Sequence, residues 1–110
     1  MRYMLLIYEN ENNEPGDLQR WFDYTEEMGK AGVMNGGEAL HPTSTATTVR
    51  VKNGEPVTTD GPFAETREQL GGYYIIDCKD LDEAIRWAAK MPNADRGSIE
   101  IRPVMEFDQG

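Results

Sequence analysis

The side chains that could perform acid/base chemistry stand near the middle of the chain. His41 is the one histidine of the chain, a residue type suited to proton transfer, and a nearby carboxylate such as Glu38 or Asp60 could orient it as a base. A histidine before a proline is also typical of a loop that ends a strand, and aspartate is the ordinary first residue of a turn. The candidates for catalysis are therefore His41 and Asp60, although a structural role is the more common one for both residue types.

A charged loop follows, between the rigid turn Asp60-Gly61-Pro62 and the pair Gly71-Gly72. In this loop Arg67 could hold an anionic ligand as a bidentate fork while Glu65 exchanges protons. The alternative is a solvated loop whose surface ion pairs contribute about 0–1 kcal/mol each. The turn fixes the backbone, since Gly61 can take a positive φ and Pro62 locks its own. We therefore count Glu65 and Arg67 among the candidate binding residues.

Two further pairs could line a ligand cleft. At Gly36-Gly37 the missing side chains permit a bulge, or close approach by another backbone or a ligand. Tyr73 and Tyr74 must point to opposite faces of a strand, so one packs beneath the helices and the other lines a cleft or a dimer seam. Packing in a core or an interface is the more common role for such tyrosines.

The composition excludes several classes of protein. The chain has 110 residues, enough for one domain over residues 1–110, and its 20 acidic against 11 basic side chains give a net charge of -9. Such an acidic chain is a poor partner for nucleic acid or anionic membranes. With one cysteine, Cys78, and one histidine, zinc and iron-sulfur ligation lack support. We predict no metal and no cofactor.

The apolar segments and the cysteine content of the chain bear on its location in the cell. No apolar run approaches the roughly 20 residues needed to span a bilayer, and the N-terminal apolar segment runs into Glu9 without a signal-peptide pattern. A single cysteine excludes an internal disulfide and agrees with a reducing compartment. We expect a cytoplasmic protein.

The hydrophobic pattern predicts the order strand, helix, strand, hairpin, strand, helix, strand. Residues 3–8 and 73–76 are apolar on both faces, which is typical of central strands. Asn53-Gly54 predicts a type I′ hairpin turn, and Pro103 favours an edge position for the last strand. The remaining elements begin with a polar turn at 9–16 and a helix at 18–28, whose apolar stripe is Leu18, Trp21, Phe22, Thr25 and Met28. A strand at 33–40 and hairpin strands at 45–52 and 55–59 come next. A helix from Asp80 to Pro92, with a capping-box-like start at Asp80 and Glu83, and a last strand at 99–107 complete the order.

This order is a doubled βαβ unit with an inserted hairpin, and it predicts a ferredoxin-like α+β fold with two helices on one face of an antiparallel sheet. Two helices cover only one face of the sheet, yet both central strands carry apolar side chains on the other face too. Leaving several hundred Å² of such surface in water would be unusual for a monomer. We therefore predict a homodimer in which two sheets pack face to face.

Several of these motifs together resemble a known family. The residues concerned are Asn35 to Leu40, Asp60 to Phe63, Glu65, Glu68, Gln69, Gly71 to Tyr74, and the helix start from Asp80 to Ala89. They resemble the YCII-related family in its DGPF-containing branch, over nearly the whole chain. The resemblance implies a dimeric α/β-barrel arrangement, in which two ferredoxin-like sheets enclose clefts, and a site for a small molecule. Some relatives lie in operons with alternative sigma factors.

One departure from the family limits what can be carried over. In shorter relatives a histidine on the first helix, paired with an aspartate, has been proposed as an acid/base unit. Here that helix has Arg20, Trp21 and Asp23 but no histidine. The His-Asp mechanism therefore cannot be transferred by position.

Two functions remain open at this point. The first is binding of a small polar or aromatic organic molecule in a cleft of a homodimer; if the protein is an enzyme, cofactor-free elimination-type chemistry fits, with His41 or Asp60 as base and Arg67 holding a developing anion. The alternative is a non-catalytic regulatory or stress-response protein linked to an alternative sigma factor system. The sequence leaves open whether the protein is an enzyme.

Overall fold

The computed structural model describes residues 1–107 of the chain. Its strands and helices follow the order predicted from the sequence. They are β1 Arg2–Glu9, α1 Leu18–Lys30, β2 Met34–Ala39, β3 Thr47–Lys52, β4 Glu55–Asp60, β5 Gln69–Asp77, α2 Leu81–Ala89 and β6 Ser98–Pro103, with a 3-10 turn at Thr43–Thr45.

Four of the strands form one antiparallel sheet in the order β2-β5-β1-β6. The two strands with apolar side chains on both faces, β1 and β5, are the central ones, as predicted. The strand that contains Pro103 is an edge strand, where the missing N–H of proline costs no ladder hydrogen bond. This α+β architecture is consistent with a ferredoxin-like fold.

The core lies between the sheet and the two helices. Alternate side chains of β1, such as Tyr3 and Leu5, are buried against Met28 of α1 and Ala84 of α2, so both helices cover the same face of the sheet. Each helix begins at an aspartate, and the Asp80 carboxylate accepts the backbone N–H of Glu83 at 3.0 Å. This contact confirms the predicted capping start of the second helix.

The other side of the sheet carries Met4, Leu6, Tyr73 and Ile75, and we call it the open face. The register pairs Leu6 with Tyr73 and Met4 with Ile75 across β1 and β5, which places these four side chains on one side. All four are half-buried by their neighbours within the sheet. Because both helices lie on the opposite side, the open face meets solvent in the isolated chain.

The inserted hairpin stands apart from the sheet. Asn53 and Gly54 have φ angles of 52° and 79°, which confirms the type I′ turn. Strands β3 and β4 pair only with each other, and nearly every residue in them is exposed. The radius of gyration of 16.1 Å exceeds the about 13 Å typical of a compact domain of this length. The hairpin therefore extends from the body of the protein.

Three local predictions were wrong. Leu18 and Phe22 are 63% and 59% exposed, although the predicted core stripe of α1 included them, while the omitted Tyr24 is buried. The last strand ends at Pro103 instead of continuing to Phe107, because its partner β1 begins at Arg2; the Val104 N–H still donates to the Arg2 carbonyl oxygen at 2.9 Å, and no β1 residue follows to pair with. Strand β5 begins at Gln69 rather than beyond the glycine pair, since pairing with β1 already starts there.

Among residues 1–107, neither helix combines the length and the apolar character that crossing a bilayer demands.

Tyr24 joins the two helices, and its hydroxyl provides a test of the core at alkaline pH. The hydroxyl donates a hydrogen bond to the Trp87 carbonyl oxygen at 2.7 Å. Burial, and then the nearby Tyr74 and Glu27, raise the pKa of Tyr24 well above its ordinary value. The neutral phenol therefore stabilises the fold fully below pH of about 10, and this contribution is lost as the pH rises further, because the unfolded chain ionises first.

We expect the Tyr24→Phe variant to lose about 1 kcal/mol of unfolding free energy at neutral pH through the missing hydrogen bond. Above pH of about 10 its stability should fall less steeply than that of the wild type. Urea unfolding between neutral and alkaline pH measures both effects. Parallel stability curves for the two proteins would contradict the role assigned to Tyr24.

Candidate functional site

A cleft of about 870 Å³ opens between α1 and the helix-covered face of the sheet. We call it the α1 cleft. One wall is α1, the floor is formed by β1, β2 and β5, and the rim is the loop that joins β1 to α1. Leu18, Trp21 and Phe22 line the wall, which explains why the exposed apolar residues of α1 lie on the arc predicted to face the core.

The floor of the α1 cleft contains a tyrosine that is fixed by a hydrogen bond. The hydroxyl oxygens of Tyr74 and Thr25 lie 2.7 Å apart, and the Thr25 hydroxyl also donates to the Trp21 carbonyl oxygen at 2.9 Å. The ring of Tyr74 packs edge-on against Tyr24, with 5.7 Å between the ring centroids. Tyr24 is in turn held by its hydrogen bond to the Trp87 carbonyl oxygen, so hydrogen bonds and ring contacts together position Tyr74.

Gly37 lets β2 approach β5 closely at the edge of this floor. A Cβ atom built on Gly37 would lie 2.7 Å from the Tyr73 carbonyl oxygen and 2.8 Å from Cδ1 of Tyr74. Real Cβ contacts are longer, so only glycine fits without a shift. The close approach expected at the glycine pair is therefore real, and the neighbour that approaches is the backbone of β5. The ladder also shifts register between Met34 and Gly36, as expected for a bulge.

The rim is held by two contacts that start from Glu11. Both carboxylate oxygens of Glu11 bind Thr43, one through its backbone N–H and one through its hydroxyl, each at 2.7 Å. The backbone N–H of Glu11 donates to the side-chain oxygen of Gln69 at 2.9 Å. The loop that the sequence indicated only as a polar turn is thus tied both to the base of the hairpin and to β5.

Asn93 lies at the buried end of the α1 cleft. Only 1% of it is exposed, and within residues 1–107 neither its side-chain oxygen nor its side-chain nitrogen has a hydrogen-bond partner. Its backbone oxygen accepts N–H groups from Arg96 and Gly97, which fixes the turn that carries it. A buried amide without partners is unusual in folded proteins. No pattern in the sequence marked this residue beyond its position after Pro92.

Some of the predicted site residues lie at the α1 cleft and others do not. Those that border it are Gly37, Glu38, Tyr73 and Tyr74. Gly36, His41, Asp60, Glu65 and Arg67 are outside its lining. Glu38 and Tyr73 form a cross-strand pair on the open-face side of the sheet, so they border the cleft through their backbone. Of the two tyrosines, Tyr74 is the one beneath the helices.

The residues outside the lining stand on exposed segments. His41 follows the edge strand β2, Asp60 ends the hairpin strand β4, and Glu65 and Arg67 lie on the loop before β5. Gly61 has a φ of 99°, so the predicted positive φ in this turn is present. These four side chains stand on the hairpin and its flanking loops, outside the lining of the α1 cleft. No pair among them is joined by a hydrogen bond within the described part of the chain.

Cys78, the single cysteine of the chain, is buried just after β5. Its thiol donates to the Asp80 carbonyl oxygen at 3.5 Å, and burial and then Glu83 raise the pKa of the thiol. A raised pKa disfavours the reactive thiolate. Across residues 1–107, no group of three or more His, Cys, Asp or Glu side chains is placed to hold a metal ion.

The fold and the cleft define a small α+β protein with one antiparallel sheet, two helices on one face, and an apolar cleft beside the first helix. The chain belongs to the YCII-related domain family, whose model matches residues 1–108. It is similar to an uncharacterised protein of Rhizobium meliloti (strain 1021), with 46% identity over 83 residues, which cover 74% of this chain and 67% of that relative. The description of this relative names no activity, so it assigns none to this chain.

Proposed function

We propose that the protein binds a small organic molecule in the α1 cleft. The observation that carries the proposal is the size and lining of the cleft. Its volume of about 870 Å³ falls in the range of roughly 300–1,000 Å³ typical of ligand sites. Apolar and aromatic side chains such as Trp21, Phe22 and Tyr74 provide most of the surface, and a few polar groups stand at the ends. Such a lining suits a molecule with an aromatic or aliphatic body.

We propose further that the protein acts as a homodimer through its open face. The centre of this face is apolar, with Leu6 and Ile75 on the two central strands. Its outer strands carry charges of both signs, Glu38 on β2 and Glu100 and Arg102 on β6. A two-fold interface must be complementary to itself. An apolar centre with both signs of charge at its edges satisfies that requirement, which favours a second copy of this chain as the partner.

The finer predictions stay proposals. We place the chain in the DGPF-containing branch on the strength of Asp60-Gly61-Pro62-Phe63. Proton transfer by His41 or Asp60 stays a prediction, because neither residue lines the α1 cleft. The regulatory alternative linked to an alternative sigma factor, and the cytoplasmic location, also stay predictions from the sequence.

Filling the α1 cleft tests the binding proposal. A screen of small organic molecules by ligand-observed NMR first identifies ligands. The Ala39→Trp variant places a large ring at an exposed position of the lining, so we expect it to weaken each ligand by at least about tenfold, or 1.4 kcal/mol. The matched control is Ala64→Trp, which adds the same ring at an exposed loop position outside the cleft.

We expect the control to bind like the wild type. A screen without ligands at millimolar concentration would speak against a binding function. Ligands that bind Ala39→Trp as tightly as the wild type would place the binding site elsewhere.

A further inference from the structure

The charge of the α1 cleft has one sign. Every charged residue in its lining is a glutamate, and within residues 1–107 no lysine, arginine or histidine lines it. The five are Glu9, Glu11, Glu14, Glu26 and Glu38. Glu38 borders the cleft only through its backbone, because its side chain lies on the open-face side of the sheet, so an anionic ligand would be repelled by the carboxylates of the other four. The expected anion holder, Arg67, stands outside the lining.

Part of this negative charge is already neutralised, and part of it is not. Arg96 lies 3.5 Å from Glu9, and Lys30 lies 3.0 Å from Glu26. Glu11 binds Thr43 through neutral donors, so it keeps its charge. The guanidinium of Arg96 also donates to the backbone oxygen of Glu14 at 3.1 Å, but the Glu14 carboxylate takes part in no ion pair among the described residues. The rim near the β1–α1 loop is therefore left with excess negative charge, in a protein whose net charge is -9.

The aromatic wall also favours a positively charged ligand. The face of an aromatic ring attracts cations, most strongly for tryptophan. Trp21, Phe22 and Tyr74 all border the α1 cleft. An apolar or aromatic ligand body gains from burial against these rings, and a positive group on that body gains from both the rings and the carboxylates.

Asn93 supplies an independent observation that points to a ligand. Its amide lines the buried end of the cleft with neither polar atom paired, which costs about 1–3 kcal/mol for each unsatisfied group. The side-chain oxygen needs a donor and the side-chain nitrogen needs an acceptor. A ligand that presents an N–H group beside an oxygen atom satisfies both.

We propose that the ligand of the α1 cleft is an organic ammonium ion with an apolar or aromatic body. It carries an oxygen atom on the carbon beside the one that bears the nitrogen. The ammonium group donates to Oδ1 of Asn93, Nδ2 of Asn93 donates to the neighbouring oxygen, and the glutamate rim balances the positive charge. This inference rests on the binding function proposed above, and it fixes the chemical class of the ligand.

Three compounds with one shared body separate the possibilities at pH 7. They are 2-amino-1-phenylethanol, which is a cation, 1-phenyl-1,2-ethanediol, which is neutral, and mandelate, which is an anion. Titration calorimetry should find the amine bound at least about tenfold more tightly than the diol, and mandelate most weakly. Equal affinities for amine and diol would overturn the ammonium inference and leave the binding function standing. If none of the three compounds binds, both the ammonium inference and the proposed binding function are wrong for ligands with a phenyl body.

Two variants test the residues assigned to the amine. In Asn93→Leu the unpaired amide is replaced by an apolar group of similar size, so we expect the preference for the amine over the diol to fall by about tenfold, with the free protein as stable as before. A purely structural role of Asn93 would instead lower the melting temperature and leave that preference unchanged, which would overturn the assignment.

Glu14→Gln serves if the first variant fails to fold, because Glu14 is exposed. It removes one charge from the rim and should weaken the amine severalfold without affecting the diol. The matched control Glu65→Gln removes one charge from an exposed loop outside the cleft and should bind the amine like the wild type. If both variants weaken the amine equally, the effect comes from the net charge of the protein and the proposed rim is wrong.

Discussion

The Gly37→Ala variant is expected to lose about 2 kcal/mol of unfolding free energy, because the nearest atom that the added methyl group meets belongs to the backbone of β5 and cannot rotate aside. The new Cβ atom would lie 2.7 Å from the Tyr73 carbonyl oxygen and 2.8 Å from the ring of Tyr74. Relief of the contact requires that β2 move away from β5, which also displaces the floor of the α1 cleft. Urea unfolding measures the loss, and ligand affinity should fall with it.

The adjacent glycine provides the control for this variant. A Cβ atom on Gly36 finds only Cδ1 of Ile75, at 4.0 Å, which is an ordinary van der Waals distance. We expect Gly36→Ala to change stability by no more than about 0.5 kcal/mol. If the two variants proved equally stable, the close approach of β2 and β5 would not require glycine at position 37.

Leu6→Glu is expected to convert the proposed dimer into a monomer. Leu6 lies at the centre of the open face, on the central strand β1. In a two-fold interface the substitution occurs twice, so two uncompensated carboxylates would be buried close together. Burial of unpaired charge costs several kcal/mol, and a loss of about 4 kcal/mol weakens association roughly a thousandfold. Light scattering after size exclusion, at micromolar protein, measures the change in mass.

The control places the same substitution on the helix layer. Ile85 of α2 is 48% exposed and lies on the side of the sheet away from the open face. Ile85→Glu should therefore leave the mass of the assembly unchanged. A wild-type protein that runs as a monomer at micromolar concentration would remove the basis for the dimer proposal, and a Leu6→Glu protein that stays dimeric would move the interface elsewhere.

The architecture was predictable because its signals are local or repeated along the chain. Strands with apolar residues on both faces must lie inside a sheet, which placed β1 and β5 at the centre. Asn53-Gly54 fixed a hairpin because both residues accept positive φ. Pro103 indicated an edge strand because it cannot donate to a ladder on both sides.

The cleft was not predictable from the same signals. Helical periodicity marks an apolar arc on α1, but it does not tell whether a neighbouring element or an open space lies in front of that arc. Leu18 and Phe22 were therefore assigned to the core although they face the cleft, and Tyr24 was missed. The side chains with the most evident chemistry, His41 and Arg67, stand on the loops that flank the hairpin, outside the lining of the cleft.

Asn93 shows why the buried end of the site had no sequence signal. Its burial depends on Gly97, where a Cβ atom would collide with the Tyr8 carbonyl oxygen and would lie 3.1 Å from Nδ2 of Asn93. This contact joins the turn after α2 to the end of β1, two segments that are far apart in the chain. Only the assembled sheet brings them together, so the residue reads in the sequence as an ordinary loop asparagine.

The arrangement of the two tryptophans has a practical consequence. Trp21 borders the α1 cleft, whereas Trp87 is outside its lining, where Lys90 lies 4.9 Å above its ring; each ring packs edge-on against Tyr24. These are the 2 tryptophans of the chain. A Trp87→Phe protein would thus emit from a single indole, in the wall of the α1 cleft proposed to bind the ligand. Its intrinsic fluorescence would report occupancy directly, without dye or label, and would allow compounds to be ranked in a plate reader.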